Sequence, residues 1–151
     1  MNIERDIVLN RFKKMDELIQ YLEEIKKKNK DEFLSNYLIY LRAQRALEIC
    51  INICIDIGNH ILSLNKNGKP ETYSDIFVEL SKLDIINKEL EEKLIKMIKF
   101  RNLLGHLYME INNEKIYEIL QENLGDFNIF KKQIFSKFKV QLLNEHNNLN
   151  L

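Results

Sequence analysis

The chain has 151 residues, enough to close one apolar core without disulfides or a structural metal. Gly 4 and Pro 1 leave few places to punctuate a fold of tight turns, and the Leu, Ile, Glu and Lys content suits long helices, so the expected class is all-α. Lys+Arg 23 balance Asp+Glu 23, which excludes a global field that would draw the protein to a polyanion, so any contact with nucleic acid has to be local. No uninterrupted apolar run reaches the roughly 18 residues of a membrane span. The opening Met1-Asn2-Ile3-Glu4-Arg5-Asp6 is not a secretory signal. The expected setting is therefore cytoplasmic, with no membrane partner.

From about Asn2 to Lys28, Ile3, Ile7, Val8, Phe12, Met15, Leu18, Ile19, Leu22 and Ile25 recur among charges at the spacing of a long amphipathic helix. It ends in Lys26-Lys27-Lys28-Asn29-Lys30, where lysines complement the helix dipole, a simpler reading than a nucleic-acid patch. A second, unusually long helix is expected from Asp31, a candidate N-cap, to about Leu64. Its apolar side carries Phe33, Tyr37, Tyr40, Leu41, Leu47, Ile51, Ile55 and Ile61. Cys50 and Cys54 share one face of it; with no second cysteine pair they read as core thiols, not as metal ligands or a disulfide.

The breaker cluster Asn65-Lys66-Asn67-Gly68-Lys69-Pro70 reverses the chain. A short helix follows over Ser74–Lys82, then a connection over Asp84–Asn87, then a helix capped by Asn87 that runs to about Tyr108. Glu110–Asn113 reads as a loop, Glu114–Asn123 as a short helix and Asp126–Asn144 as the last one. Residues 145–151 have too little apolar periodicity to hold and should fray. The sum is one domain over residues 1–144, an antiparallel bundle of four main helices with short extra helices.

Two sets of polar residues break the apolar pattern. Arg45, Glu48, Asn52, Asp56 and Asn59 form a ladder at steps of three or four, which reads as a solvated face or, alternatively, as the lining of a cleft. If it turns towards the later motif, Asp56 or Glu48 is placed to pair with the arginine there. Asp56 and His60 make half a metal site without a third ligand, so no metal is expected.

The second set lies in Phe100-Arg101-Asn102-Leu103-Leu104-Gly105-His106-Leu107-Tyr108. Leu90, Leu94, Met97, Arg101, Leu104 and Tyr108 follow one helical face, so Arg101 sits on the apolar stripe. A guanidinium that keeps its proton is costly to bury unless it is paired or faces a cleft, and a phosphate is the ligand that suits it. In a regular helix Arg101 and His106 are roughly 140° apart. Gly105 permits the bend that would bring them together, as would a site shared between two subunits. A histidine moves protons both ways near neutral pH. Such a pair suffices for metal-independent cleavage of unpaired RNA, the ribose 2′-hydroxyl supplying the nucleophile. No cofactor is needed. Against this stand a non-catalytic nucleotide- or substrate-binding module and a purely structural bundle with Arg101 paired internally.

Arg101-x4-His106-x-Tyr108 resembles the signature of the HEPN superfamily in its HepT-like form. The blocks Leu41–Glu48, Ile55–Ile61, Pro70–Phe77 and Met97–Asn102 also resemble that family's blocks in its order, over the chain to about Phe130. The resemblance implies a dimeric, all-α ribonuclease toxin of a type VII-like toxin–antitoxin system, with Arg101 and His106 catalytic. It also implies a minimal nucleotidyltransferase antitoxin that transfers AMP to the motif tyrosine, here Tyr108. Asn102 matches the family's Arg-Asn pair and Asp56 a recurrent acidic position, both as supporting residues. The family commonly has a branched apolar residue before the motif histidine, where this chain has Gly105.

Overall fold

The computed structural model describes residues 2–65, 69–104 and 113–143. Eight helices follow one another in them: α1 (Arg5–Lys26), α2 (Lys30–Ser35), α3 (Tyr37–Ser63), α4 (Tyr73–Lys82), α5 (Lys88–Leu104), α6 (Asn113–Glu122), α7 (Gly125–Lys137) and α8 (Lys139–Leu143). No strand occurs among the described residues, so the all-α expectation holds. The expected tail at 145–151 lies outside them, as do the centre of the turn at 66–68 and the expected loop up to residue 112.

Helix α3 is the axis of the fold and touches α1, α4, α5, α6 and α7. It reaches the length and the mean hydropathy, 1.3, of a membrane span, although Arg42, Arg45, Glu48 and Asp56 interrupt its apolar sequence. In the fold those apolar residues are core: Ala43, Leu47, Cys50, Ile51, Cys54, Ile57 and Ile61 are all buried. Burial, with Asp16 adding to it, pushes the Cys50 thiol up to about 12, and burial likewise raises Cys54. Both behave as small hydrophobes.

Helices α1 and α3 run antiparallel. The Glu4 backbone N–H at the head of α1 donates to His60 Nε2 near the foot of α3 at 3.0 Å. Helices α4 and α5 form a hairpin whose turn is closed by Ile85 N–H donating to the Leu80 carbonyl, with Asp84 at φ 56. Aspartate tolerates that left-handed position better than most side chains. Gly58 allows α3 and α4 to approach: a Cβ there would lie 2.6 Å from Ile76 Cγ2.

Two expected helices are broken. The long second helix splits at Asn36, which turns extended and caps α3, while Asn29, not Asp31, caps α2 by accepting from Glu32 N–H at 2.8 Å. The last helix splits at Phe138, whose ring stays in the core. The basic run after α1 is tied up locally, with Lys27 on Glu24, Lys28 on Glu32 and Lys30 on Glu114. Its free carbonyls are satisfied by α6, since Tyr117 donates to the Lys28 carbonyl and Gln121 to that of Lys26.

Candidate active site

Helix α5 begins where Asn87 Oδ1 accepts from Leu90 N–H at 2.8 Å, the cap expected from the sequence. Leu90, Leu94, Met97, Ile98, Phe100 and Leu104 are buried along it. Their burial fixes its rotation and brings Arg101, half-buried in the last turn, against α3 and the head of α4. Arg101 Nε–H donates to Asn52 Oδ1 at 2.7 Å. Its guanidinium lies over the Tyr73 ring, 4.9 Å from Cζ to the ring centroid.

Tyr73 is itself held in place. It is the first residue of α4, directly after Thr72, whose hydroxyl accepts from Asp75 N–H while Asp75 Oδ2 accepts from Thr72 N–H. This reciprocal cap fixes the entry of the chain into α4. The Gly58 contact then fixes α4 on α3. Asn52 and Tyr73 thus grip Arg101 from two helices, both without charge. Among the described residues no carboxylate pairs with it.

That outcome corrects the expected pairing. Asp56 lies one turn along α3 from Asn52 and pairs with Arg11 at 3.5 Å, and Glu48 pairs with Arg45 at 3.1 Å. The ladder on α3 is not simply a solvated face either. Arg45, Asp56 and Asn59 are exposed, but Asn52 is half-buried, and Asn59 joins Tyr73, Ile98 and Asn102 around a cavity of about 440 Å³. Asn102 is exposed and faces that cavity. Asp56 lines a second one, about 730 Å³, with Arg11, His60 and Lys69. Asp56 and His60 find no third partner, for no group of three His, Cys, Asp or Glu side chains gathers as a metal site among the described residues. His106 and Tyr108, with Gly105 between the motif's halves, lie outside the described residues.

Asn52 and Tyr73 are the site residues that sequence reasoning passed over. Asn52 stood in the polar ladder and Tyr73 in a family-like block, yet nothing in their spacing ties either to Arg101. Only the packing of α3, α4 and α5 does so.

A family model described as Ribonuclease HepT-like matches residues 15–134. The chain belongs to the HepT-like ribonuclease family. This membership assigns it to the RNA-cleaving enzymes. It is 30% identical over 135 residues to the tRNA nuclease HepT of Aphanizomenon flos-aquae, covering 89% of this chain and 92% of that protein. The mRNA nuclease HepT of Shewanella oneidensis is 30% identical over 128 residues, covering 83% of this chain and 93% of the relative. Among solved structures, the tri-AMPylated Shewanella oneidensis HEPN toxin in complex with MNT antitoxin superposes with a TM-score of 0.81 at 27% identity, over 88% of this chain and 99% of that one. This HepT-like chain therefore shares both sequence and architecture with its relatives over nearly their whole length.

Proposed function

We propose that this HepT-like ribonuclease is the toxin half of a type VII-like toxin–antitoxin pair, working in the cytoplasm on unpaired RNA with Arg101 and His106 as its catalytic residues. The observation that carries the reading is the state of Arg101. Among the described residues this permanent cation is held by an amide and an aromatic ring and by no carboxylate, which leaves its charge for an anion. The ribose 2′-oxygen attacks the adjacent phosphorus, the bond to the 5′-oxygen breaks, and a cyclic phosphate is left. His106 takes the 2′-hydroxyl proton as general base or gives one to the departing oxygen as general acid. Arg101 stabilises the charge that builds on the phosphoryl oxygens. The substrate brings its own nucleophile, so the cycle calls for neither metal nor cofactor. A duplex would deny the in-line geometry, which favours single strands.

Two subunits bring their motifs together in the active homodimer. Asn102 supports the motif at the cavity rim, and Asp56, which holds Arg11, is a second supporting residue. The antitoxin is a nucleotidyltransferase: the Tyr108 hydroxyl attacks the α-phosphorus of ATP, pyrophosphate leaves, and the added AMP charge repels RNA. The relative that carries AMP in complex with MNT antitoxin supports this reading.

Two experiments test it. RNA integrity is followed on expression of wild type, Arg101→Ala and His106→Ala; equal RNA loss in all three would reject the catalytic pair. Incubation with the nucleotidyltransferase and ATP should raise the mass in AMP steps, and Tyr108→Phe should abolish the rise. Persistence of the rise would move the modification elsewhere.

A further inference from the structure

The cavity beside Arg101 has a composition of its own. Its inner wall is apolar, Ile76 and Ile98, both buried. Its rim carries the amides of Asn59 and Asn102, neither of which has a hydrogen bond among the described residues. Tyr73 stands at one side with 45% of its surface open, although Arg101 rests on its ring. The volume, about 440 Å³, lies in the range of small-ligand sites.

A phosphate would find a poor partner in this lining, since among the described residues Glu71 is the only charged side chain that contributes to it. A flat heteroaromatic ring would find a good one. An exposed aromatic offers a stacking platform, and an asparagine amide presents both donors and an acceptor to the edge of a base. From this we infer that the cavity bounded by Asn59, Tyr73 and Asn102 is a nucleobase subsite, taking the base next to the phosphate held by Arg101. The inference rests on the ribonuclease reading for the identity of the strand. Arg101 links the two halves of the site: its guanidinium rests on the Tyr73 ring, and its remaining donors serve the phosphate. Asn59 and Pro70 also line the larger neighbouring cavity, where Lys69 stands beside the Arg11–Asp56 pair.

The test uses the whole protein and a short, labelled 2′-O-methyl oligoribonucleotide, which lacks the nucleophile and reports binding alone. Fluorescence anisotropy is measured with the intact strand and with strands in which one abasic nucleotide is walked along the sequence. Base–aromatic stacking predicts that Tyr73→Ala weakens binding of the intact strand roughly 5- to 150-fold while Tyr73→Phe keeps it. One abasic position should cost wild type a similar factor and cost Tyr73→Ala little more, because both changes remove the same contact. Asn59→Ala should flatten the preference among the four bases at that position. Repeating the Tyr73 pair in an Arg101→Ala background separates stacking from support of Arg101: the Tyr73 effect persists if the base is held there.

Equal loss at every abasic position, or loss of the Tyr73 effect without Arg101, overturns the subsite. AMP alone binding as tightly as the strand also overturns it, since the cavity would then be a mononucleotide site. Tyr73-dependent binding by a protein that cuts no unmodified RNA would retain the subsite and reject the nuclease reading. Cleavage by a Tyr73→Ala protein with unchanged affinity would do the reverse.

Discussion

Two places where charge meets the packed body of this protein are treated oppositely. At the α4–α5–α7 side, Glu91 and Asp126 are only 3% and 5% exposed, and each meets a lysine. Lys88 Nζ donates to Glu91 Oε1 at 2.9 Å, and Lys93 Nζ lies 3.7 Å from Asp126 Oδ1. At the end of α5, Arg101 meets an amide and a ring instead. A charge matched by its opposite is finished as an interaction and serves the fold. One held in place by neutral groups keeps most of its field, and that field is what an anionic ligand would use.

The comparison breaks first at Arg101. Its replacement by alanine should lower cleavage by about 10²- to 10³-fold, the usual scale for a lost transition-state donor, while Tm falls no further than loss of the Asn52 hydrogen bond and the Tyr73 contact explains. His106→Ala should lie in the range of about 10²- to 10⁴-fold. Single-turnover cleavage of a fixed RNA measures both. Loss of folding in parallel with activity would turn Arg101 into a structural cation of the Glu91 kind.

Asn52 sharpens the contrast more finely. Asn52→Ala removes a hydrogen bond to a charged group, worth about 1.5–3 kcal/mol, and should cost roughly ten-fold or more in cleavage. Asn52→Asp converts one region into the other by placing a carboxylate against the arginine. Stability should hold or rise while cleavage falls at least as far as in Asn52→Ala. A fully active Asn52→Asp protein would show that the neutrality of the partner does not matter.

Smaller effects are expected in the scaffold. Gly58→Ala gains about 1 kcal/mol of helix propensity but forces a methyl group against the stiff, branched side chain of Ile76, for a typical overpacking cost of about 1–3 kcal/mol. Thermal unfolding should show a small net loss, and strand affinity should fall as α4 shifts Tyr73.

Glu91→Gln should remove about 1 kcal/mol, or roughly 2–4 °C in Tm for a chain of this size, and leave cleavage untouched. Its pH dependence has a definite sign. Burial by itself would raise the Glu91 carboxyl, but hydrogen bonds from Lys88 and Ser81 and the nearby lysine charges hold it below its ordinary value. A carboxyl lowered in the folded state adds stability above its unfolded value of about 4.3, and that stability is lost as pH falls through the folded one. The gap in Tm between wild type and Glu91→Gln should therefore close in acid and stay open near neutrality.

Much of this protein could be read along the chain. Asn87 as the cap of α5, the buried thiols of Cys50 and Cys54, the α4 helix and the stripe Leu90, Leu94, Met97 and Leu104 follow from local chemistry and a 3.6-residue period. The spacing of Arg101, Asn102, His106 and Tyr108, with the ordered blocks around it, pointed to the family. Helix breaks at Asn36 and Phe138 were not legible, because both residues sit inside continuing apolar periodicity and only their neighbours decide where the chain bends.

Sequence alone determined most of the residues that face inwards, though not Tyr37 and Leu41, which are exposed, and that the stripe of α5 carries an arginine. Tertiary structure alone decided that Arg101 meets Asn52 and Tyr73 while Asp56, one turn away, turns to Arg11. Periodicity sets the face of a single helix. The partner across an interface depends on the rotation and axial offset of two helices, and those are set by the summed packing of α3, α4 and α5, down to the absent side chain at Gly58.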